Sequence, residues 1–221
     1  MPFQKGQQYY KSKTGRSKEP MVFTEDIFAE DDVISLNRFS EEDDGLYFRI
    51  MQEDPFCPSP PMDRPDILKL WRDDFLSERR FYCMVTRKID GKPMGYCGIN
   101  DINKNDWEIA VMLLNDYQGK GYGRRMTMLL MERLADLTGR KEYFPLVEPK
   151  NINSHLFFRC LGFAPAGVFK LVEGMPDSFY KQVEDENISS LDDWTFQLAK
   201  QFCVEPRILL SHVTRYKKTL F

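Results

Sequence analysis

With 221 residues, 42% of them hydrophobic, and a formal net charge of −3, the chain is long enough for one ample core and carries no global basic field to draw it onto nucleic acid or an anionic membrane. Its five cysteines form an odd set without a Cys-x-x-Cys pair, and the two histidines do not cluster with them. This excludes a disulfide framework or zinc site as the organising feature and fits reduced thiols in the cytoplasm, and no apolar run approaches membrane-spanning length.

In chain order, residues 1–32 begin polar and basic and turn acidic at Glu30, Asp31 and Asp32, the pattern of a flexible arm. Val33 to Leu36 is strand-like, and Ser40-Glu41-Glu42-Asp43 has the form of a capping box for a helix carrying Leu46, Ile50 and Met51. Asp54-Pro55 ends that helix, and Pro65 opens another with Ile67, Leu68, Trp71 and Phe75 at helical spacing. The period then changes. Phe81 to Lys88 and Pro93 to Ile102 read as strands joined at Asp90-Gly91, and Asn105-Asp106 turns into a third strand, Trp107 to Leu114. A glycine-rich turn leads into a helix through Leu137 that is closed by Gly139, and a strand returns at Tyr143 to Val147, the spacing of a strand, crossover helix, parallel strand unit. Asn153 or Ser154 caps a short helix that stops at Gly162 before the apolar segment Phe163 to Val172. The tail offers a strand, Phe179 to Val183, and two helices, Leu191 to Cys203 and Pro206 to Lys217.

The chemistry concentrates in the turn Gln118-Gly119-Lys120-Gly121-Tyr122-Gly123-Arg124. A glycine-rich turn feeding a helix start aims several backbone N–H groups at one point, which suits a phosphate, and Lys120, Arg124 and Arg125 add charge. Two common phosphate loops are excluded by spacing: G-x-x-x-x-G-K-[ST] does not occur, and the position three after Gly121 is Arg124 rather than glycine.

Gln118, Gly121 and Gly123 instead stand in the register Q/R-x-x-G-x-G/A, between a strand and a helix, and here the sequence resembles the GNAT superfamily of N-acetyltransferases. Asn151-Ile152-Asn153-Ser154 followed by Leu161-Gly162-Phe163 is similar to the closing segment of its RimJ/RimL-like branch, so the likeness runs from about Val33 to Val172. It implies an α/β (α+β) fold with a central, mixed but mostly antiparallel twisted sheet flanked by helices. The division is a flexible arm (1–32), an acetyltransferase domain (33–183) and a C-terminal helical extension packed on it (184–221).

The resemblance further implies acetyl-coenzyme A as co-substrate, with Met112, Leu113 and Leu114 along its pantetheine arm. Gln118, Gly119, Lys120, Gly121, Tyr122, Gly123 and Arg124 would hold the pyrophosphate, and Asn151 and Ser154 would lie near the pantetheine, a helix cap being the competing role for Ser154 and for Asn153. Acetyl transfer needs a base, and Glu108 matches the family's strand glutamate, ahead of Glu148 and Asp101; the competing reading is a solvated strand-start carboxylate. Phe158 stands where many members carry a tyrosine acid, Cys160 reads as a core cysteine, and His155 as a surface helix position. Implied partners are an amine acceptor, small molecule or protein N-terminus, and a second copy of the chain; no metal or membrane is implied. Phe56, Trp71, Phe169 and Tyr180 are candidates for an aromatic acceptor pocket. Two rival functions remain: an acyl-coenzyme A sensor without turnover, and nucleic-acid binding through a helix-turn-helix-like tail whose second helix would carry Arg207, Arg215, Lys217 and Lys218.

Overall fold

A computed structural model describes residues 26–40, 43–54, 63–170, 172 and 174–221; the basic arm up to residue 25 and the proline-rich stretch with Phe56 and Cys57 lie outside the described residues. Strands β1 (Ile27–Glu30), β2 (Ile34–Arg38), β3 (Phe81–Arg87), β4 (Lys92–Ile99) and β5 (Ile109–Leu113) form one antiparallel sheet in that order. Glu30 to Asp32, counted with a loose arm from sequence, belong instead to a hairpin: Asp31 Oδ1 accepts the N–H groups of Val33 and Ile34, both at 2.8 Å, and so forms the turn between β1 and β2.

One face of this sheet carries α1 (Asp44–Glu53) and α2 (Pro65–Phe75), the latter opened by a proline at its first position. Ser40 donates its backbone N–H to Asp43 Oδ2 at 2.8 Å, the back-reaching half of the expected capping box. Leu46, Tyr47, Ile50 and Phe75 form a small core with Phe39, Tyr82 and Leu114 of the sheet. The opposite face is covered by α3 (Tyr122–Thr138), whose Met126, Leu130, Met131 and Leu134 are buried in the main core with Trp107, Ile109 and Leu113. Gly139 ends α3 at φ 71°, the left-handed cap anticipated from sequence.

A second sheet is built around β9 (His212–Thr219). On one side it pairs with β6 (Glu142–Tyr143) and β7 (Leu146–Val147), and on the other with β8 (Ala164–Lys170), all antiparallel. Helices α4 (Ile152–Cys160), α5 (Asp177–Glu186) and α6 (Asp193–Phe202) complete the chain; Leu198, Ala199 and Phe202 of α6 join the main core.

Two tail elements differ from the sequence reading. Phe179 to Val183 belongs to helix α5 rather than a strand: Tyr180 and Glu184, one turn apart, are its buried positions, and Glu184 is held inward by Arg207 Nε at 2.9 Å and Ser211 Oγ at 2.8 Å. Pro206 to Lys217 is a short 3₁₀ turn followed by β9, with Val213, Thr214 and Tyr216 buried. Val213 and Thr214 are β-branched and suit a ladder flanked on both sides, which outweighs the helical spacing of the preceding leucines. A helix-turn-helix in the tail is thereby excluded.

Because β9 pairs with each of β6, β7 and β8, a chain ending at Leu210 is expected to lose cooperative unfolding or to aggregate. Urea denaturation followed by circular dichroism checks this, and a truncated protein with an unchanged transition would count against it.

Candidate active site

The two sheets meet at one isolated parallel bridge, Trp107 to Tyr143, where Phe144 donates its N–H to Trp107 O at 2.9 Å. Past it the sheets part, since β7 pairs with β9 and β5 has no further strand on that side among the described residues. The direction of the free groups follows from alternation. Leu114 N–H bonds Met94 O and Asn100 N–H bonds Glu108 O, both at 2.9 Å, so the even-numbered residues of β5 spend their backbone groups on β4. Ile109, Val111 and Leu113 therefore turn N–H and C=O toward the gap.

That geometry sorts the three residues expected along a cofactor. Leu113 faces the gap with its backbone, whereas Met112 and Leu114 are bonded to β4 and offer side chains to the smaller core. The Leu113 carbonyl is already taken by Gln118 Nε2 at 2.8 Å, so Gln118 pins the glycine turn to the end of β5.

Gly119 and Gly121 adopt φ of 70° and 84°, conformations that L side chains rarely take, and a Cβ at either would meet nothing within 4 Å. The space over them is open. Gly121 is the N-cap of α3 and no side chain caps the helix; the first intrahelical bond is Arg125 N–H to Gly121 O, which leaves the N–H groups of Tyr122, Gly123 and Arg124 without intrahelical acceptors. Gly123 serves another purpose: a Cβ there would come 3.0 Å from the Phe157 ring, so its smallness lets α3 lie against α4.

The cationic residues divide. Lys120 Nζ is tied to Asp116 O at 2.6 Å, beside the loop. Arg125 is directed away, to Asp31 and Asp32, both at 2.8 Å, because one helical residue turns it about 100° from Arg124 toward the β1–β2 turn. Arg124 is exposed and has no ion pair among the described residues. A concavity of about 660 Å³ runs from the start of α3, at Lys120, Gly121, Tyr122 and Arg124, along that helix to Glu132 and reaches Asp31 of the β1–β2 turn.

On the other arm, Asn151 rather than Asn153 or Ser154 caps α4, its Oδ1 accepting the Ser154 N–H at 3.0 Å. Both residues thus stand shortly after β7, at the start of α4.

Glu108 precedes β5 and lies on the α1/α2 side, where Asn100 Nδ2 donates to its Oε1 at 2.6 Å. Burial raises its carboxyl above the usual glutamate range, and the Asn100 hydrogen bond pulls in the opposite direction. Glu148, beyond β7, is also raised by burial. Phe158 is buried against Phe157 and Phe163 and has no proton to supply. Cys160, expected in the core, is exposed near the end of α4, while Cys83 and Cys97 are buried opposite each other on β3 and β4. Of the residues expected to line an aromatic acceptor pocket, Phe56 lies outside the described residues, Trp71 packs on the smaller core, Phe169 is exposed against Arg215, and Tyr180 is buried against His212. Among the described residues no cluster of three metal-ligating side chains occurs, and no helix is long and apolar enough to cross a membrane.

Residues 46–163 match the model of the family described as the acetyltransferase (GNAT) family. No curated protein matches the chain by sequence. Among solved structures, similarity extends to an acetyltransferase from Thermus thermophilus (18% identity, TM-score 0.52, covering 85% of this chain and 97% of that one). The microcin C7 self immunity acetyltransferase MccE, in complex with acetyl-CoA and AMP, is 16% identical with TM-score 0.56, covering 86% and 94%. The ribosomal-protein-S5-alanine acetyltransferase from Vibrio fischeri is 15% identical with TM-score 0.53, covering 86% and 94%. These likenesses concern the fold alone.

His155, read from sequence as a surface position, is completely buried. Its Nε2 lies 3.1 Å from the Glu148 carbonyl, which can only accept, so Nε2 carries the proton and Nδ1 accepts from Tyr216 Oη at 2.8 Å. The neutral ring joins α4, β7 and β9. Burial lowers its pKa to about 4, so from about pH 6.5 down to 4 the unfolded chain binds the proton more tightly, and stability is lost as pH falls. Relative to His155→Gln, the native protein is expected to lose on the order of 3 kcal/mol more between pH 6.5 and 4. Contributions from Glu108 and Glu148 cancel in that difference. Parallel pH dependences of urea unfolding for the two proteins would refute the assignment.

Proposed function

Because this chain belongs to the acetyltransferase (GNAT) family, we propose that it transfers acetyl from the thioester of acetyl-coenzyme A directly to a primary amine, both substrates bound together. The observation that carries this reading is the uncapped start of α3 standing at the end of a strand whose outer edge is unpaired. Free N–H groups at a helix start favour a pyrophosphate, and the edge of Val111 and Leu113 suits an amide-bearing pantetheine arm laid along it like an added strand. Gly119, Lys120, Gly121, Tyr122, Gly123 and Arg124 form the phosphate cradle in this reading, with Gln118 fixing its position and Asn151 and Ser154 bordering the opposite arm.

Transfer begins with a neutral amine attacking the thioester carbonyl carbon, and an outward N–H of β5 stabilises the oxygen that becomes negative. Glu108 accepts the proton lost by the nitrogen. The carbon–sulfur bond breaks, and the thiolate takes a proton from solvent, since Phe158 has none. The RimJ/RimL-like branch remains our reading of Asn151 to Ser154, supported at the level of fold by likeness to a ribosomal-protein acetyltransferase. Its acceptors on this reading are protein N-termini or small amines, and the protein acts in the cytoplasm as a homodimer. A second reading, a sensor that binds acyl-coenzyme A without turnover, draws on the buried Phe158.

Acetyl-coenzyme A at about a hundred times its dissociation constant should stabilise the fold by about 2.7 kcal/mol, a rise of about 5–10 °C in midpoint. Gly121→Glu, which puts bulk and negative charge into the cradle, is expected to abolish that rise while remaining folded; an unchanged rise would remove the cradle from the proposal. With a panel of amines, thiol release is expected to fall about 10²–10⁴-fold in Glu108→Gln with cofactor binding retained. Cofactor binding without thiol release for any amine would favour the sensor.

A further inference from the structure

Glu108 stands at the end of a hydrogen-bonded chain that runs back to the protein surface and whose donors all point one way. Arg80 Nη1 donates to Tyr82 Oη at 2.9 Å, the Tyr82 hydroxyl donates to Asn100 Oδ1 at 2.6 Å, and Asn100 Nδ2 donates to Glu108 Oε1 at 2.6 Å. The other end of Arg80 is bound to Asp74, which also pairs with Arg79. Three separate elements supply these groups. Tyr82 lies on β3 opposite Gly98, Asn100 just after β4, and Glu108 just before β5, so the chain of bonds steps diagonally from β3 to the end of β4 and then across to the start of β5. Tyr82 is itself fixed by stacking on Phe75 at 4.3 Å and by an edge contact with Tyr96 at 5.2 Å.

We infer that Asn100, oriented by Tyr82 and Arg80, is a positioning residue whose amide N–H is held facing Glu108 and so keeps this carboxyl group aimed in its half-buried place. The inference rests on the reading of Glu108 as the base. An amide cannot reverse its donor end without losing the Tyr82 bond, because Oδ1 is committed to accepting the phenol hydrogen. Each bond polarises the next, so the positive charge of Arg80 is felt at Glu108 through the chain as well as through space. The other charged groups acting on Glu108 are Lys104 in the β4–β5 loop and Arg215 of β9, both favouring its anion, while Arg215 is partly neutralised by Asp106 at 2.6 Å. Burial opposes ionisation; the Asn100 bond is the strongest of the groups that favour it.

The test is a carbon-13 NMR titration of the glutamate side-chain carboxyls in the full chain, with Glu108→Gln assigning the Glu108 signal. Asn100→Leu removes the donor at similar size, and Tyr82→Phe removes only the hydroxyl while keeping the stacked ring, which protects against loss of fold. The expected result is an upward shift of the Glu108 midpoint by about one unit in Asn100→Leu, tenfold in proton affinity, and a smaller upward shift in Tyr82→Phe. The acidic limb of kcat/KM for acetyl transfer to an accepted amine should move with it. A Glu108 midpoint unchanged in both folded variants overturns the inference and leaves the acetyltransferase reading intact. A shifted midpoint with an unshifted acidic limb shows instead that Glu108 is not the base, and the positioning role falls with it.

Discussion

Among the described residues the two sheets meet in backbone pairing at a single parallel bridge, Trp107 to Tyr143, within a core they share, and the arrangement of the site follows from where that bridge stops. A continuous sheet would satisfy every backbone group of β5 and leave no edge. Here β5 is paired along its length only on the side facing β4, and apart from the Leu113 carbonyl held by Gln118 its outer N–H and C=O groups open onto a gap. The gap persists because each neighbouring arm is committed elsewhere: β6 and β7 to β9, and the end of β5 to the turn pinned by Gln118. Trp107 itself is fully buried, donates Nε1–H to Ile102 O at 3.1 Å, and carries the Arg140 guanidinium 4.4 Å from its ring centroid, so the bridge is set in rigid surroundings.

The glycine turn extends the same logic from strand to helix. Two glycines in left-handed conformations swing the chain from β5 into α3 without side chains over the helix start, and no side chain caps the first N–H groups. A third glycine lets α4 approach, so the loop, α3 and α4 form one packed unit beside the gap. The opposite arm is fixed less visibly. His155 bonds the Glu148 carbonyl and Tyr216, and Thr214 Oγ1 donates to Val147 O at 2.8 Å, so β7, α4 and β9 are locked by buried polar pairs that cost free energy if broken.

Much of the first sheet is legible in the sequence because its signals are local. The Asp90-Gly91 turn, the alternation along β5, the proline opening α2 and the glycine closing α3 each act within a few residues. The tail is harder to read. Tyr180 and Phe179 favour a strand by type, yet the buried Glu184 one turn later makes sense only with Arg207 and Ser211 beside it. Val213 to Lys218 becomes a strand because β7 and β8 flank an empty lane, a fact about residues 65 or more positions upstream for β7. His155 and Cys160 exchange their expected surroundings for the same reason: which face of α4 is buried depends on β9 and α6, neither of which is adjacent in sequence.

The sequence by itself determined the glycine-rich strand-loop-helix, the order of the elements around it and the alternation that puts Glu108 and Ile109 on opposite faces. These rest on backbone conformations and periodicities that neighbouring residues impose. The tertiary structure alone decided that Val111 and Leu113, rather than Met112 and Leu114, present their backbone to the gap, that Arg125 is spent on Asp31 and Asp32, and that Asn100 and Tyr82 support Glu108. Those choices depend on strand register and on groups brought together from distant parts of the chain, where a shift of one residue would exchange every partner.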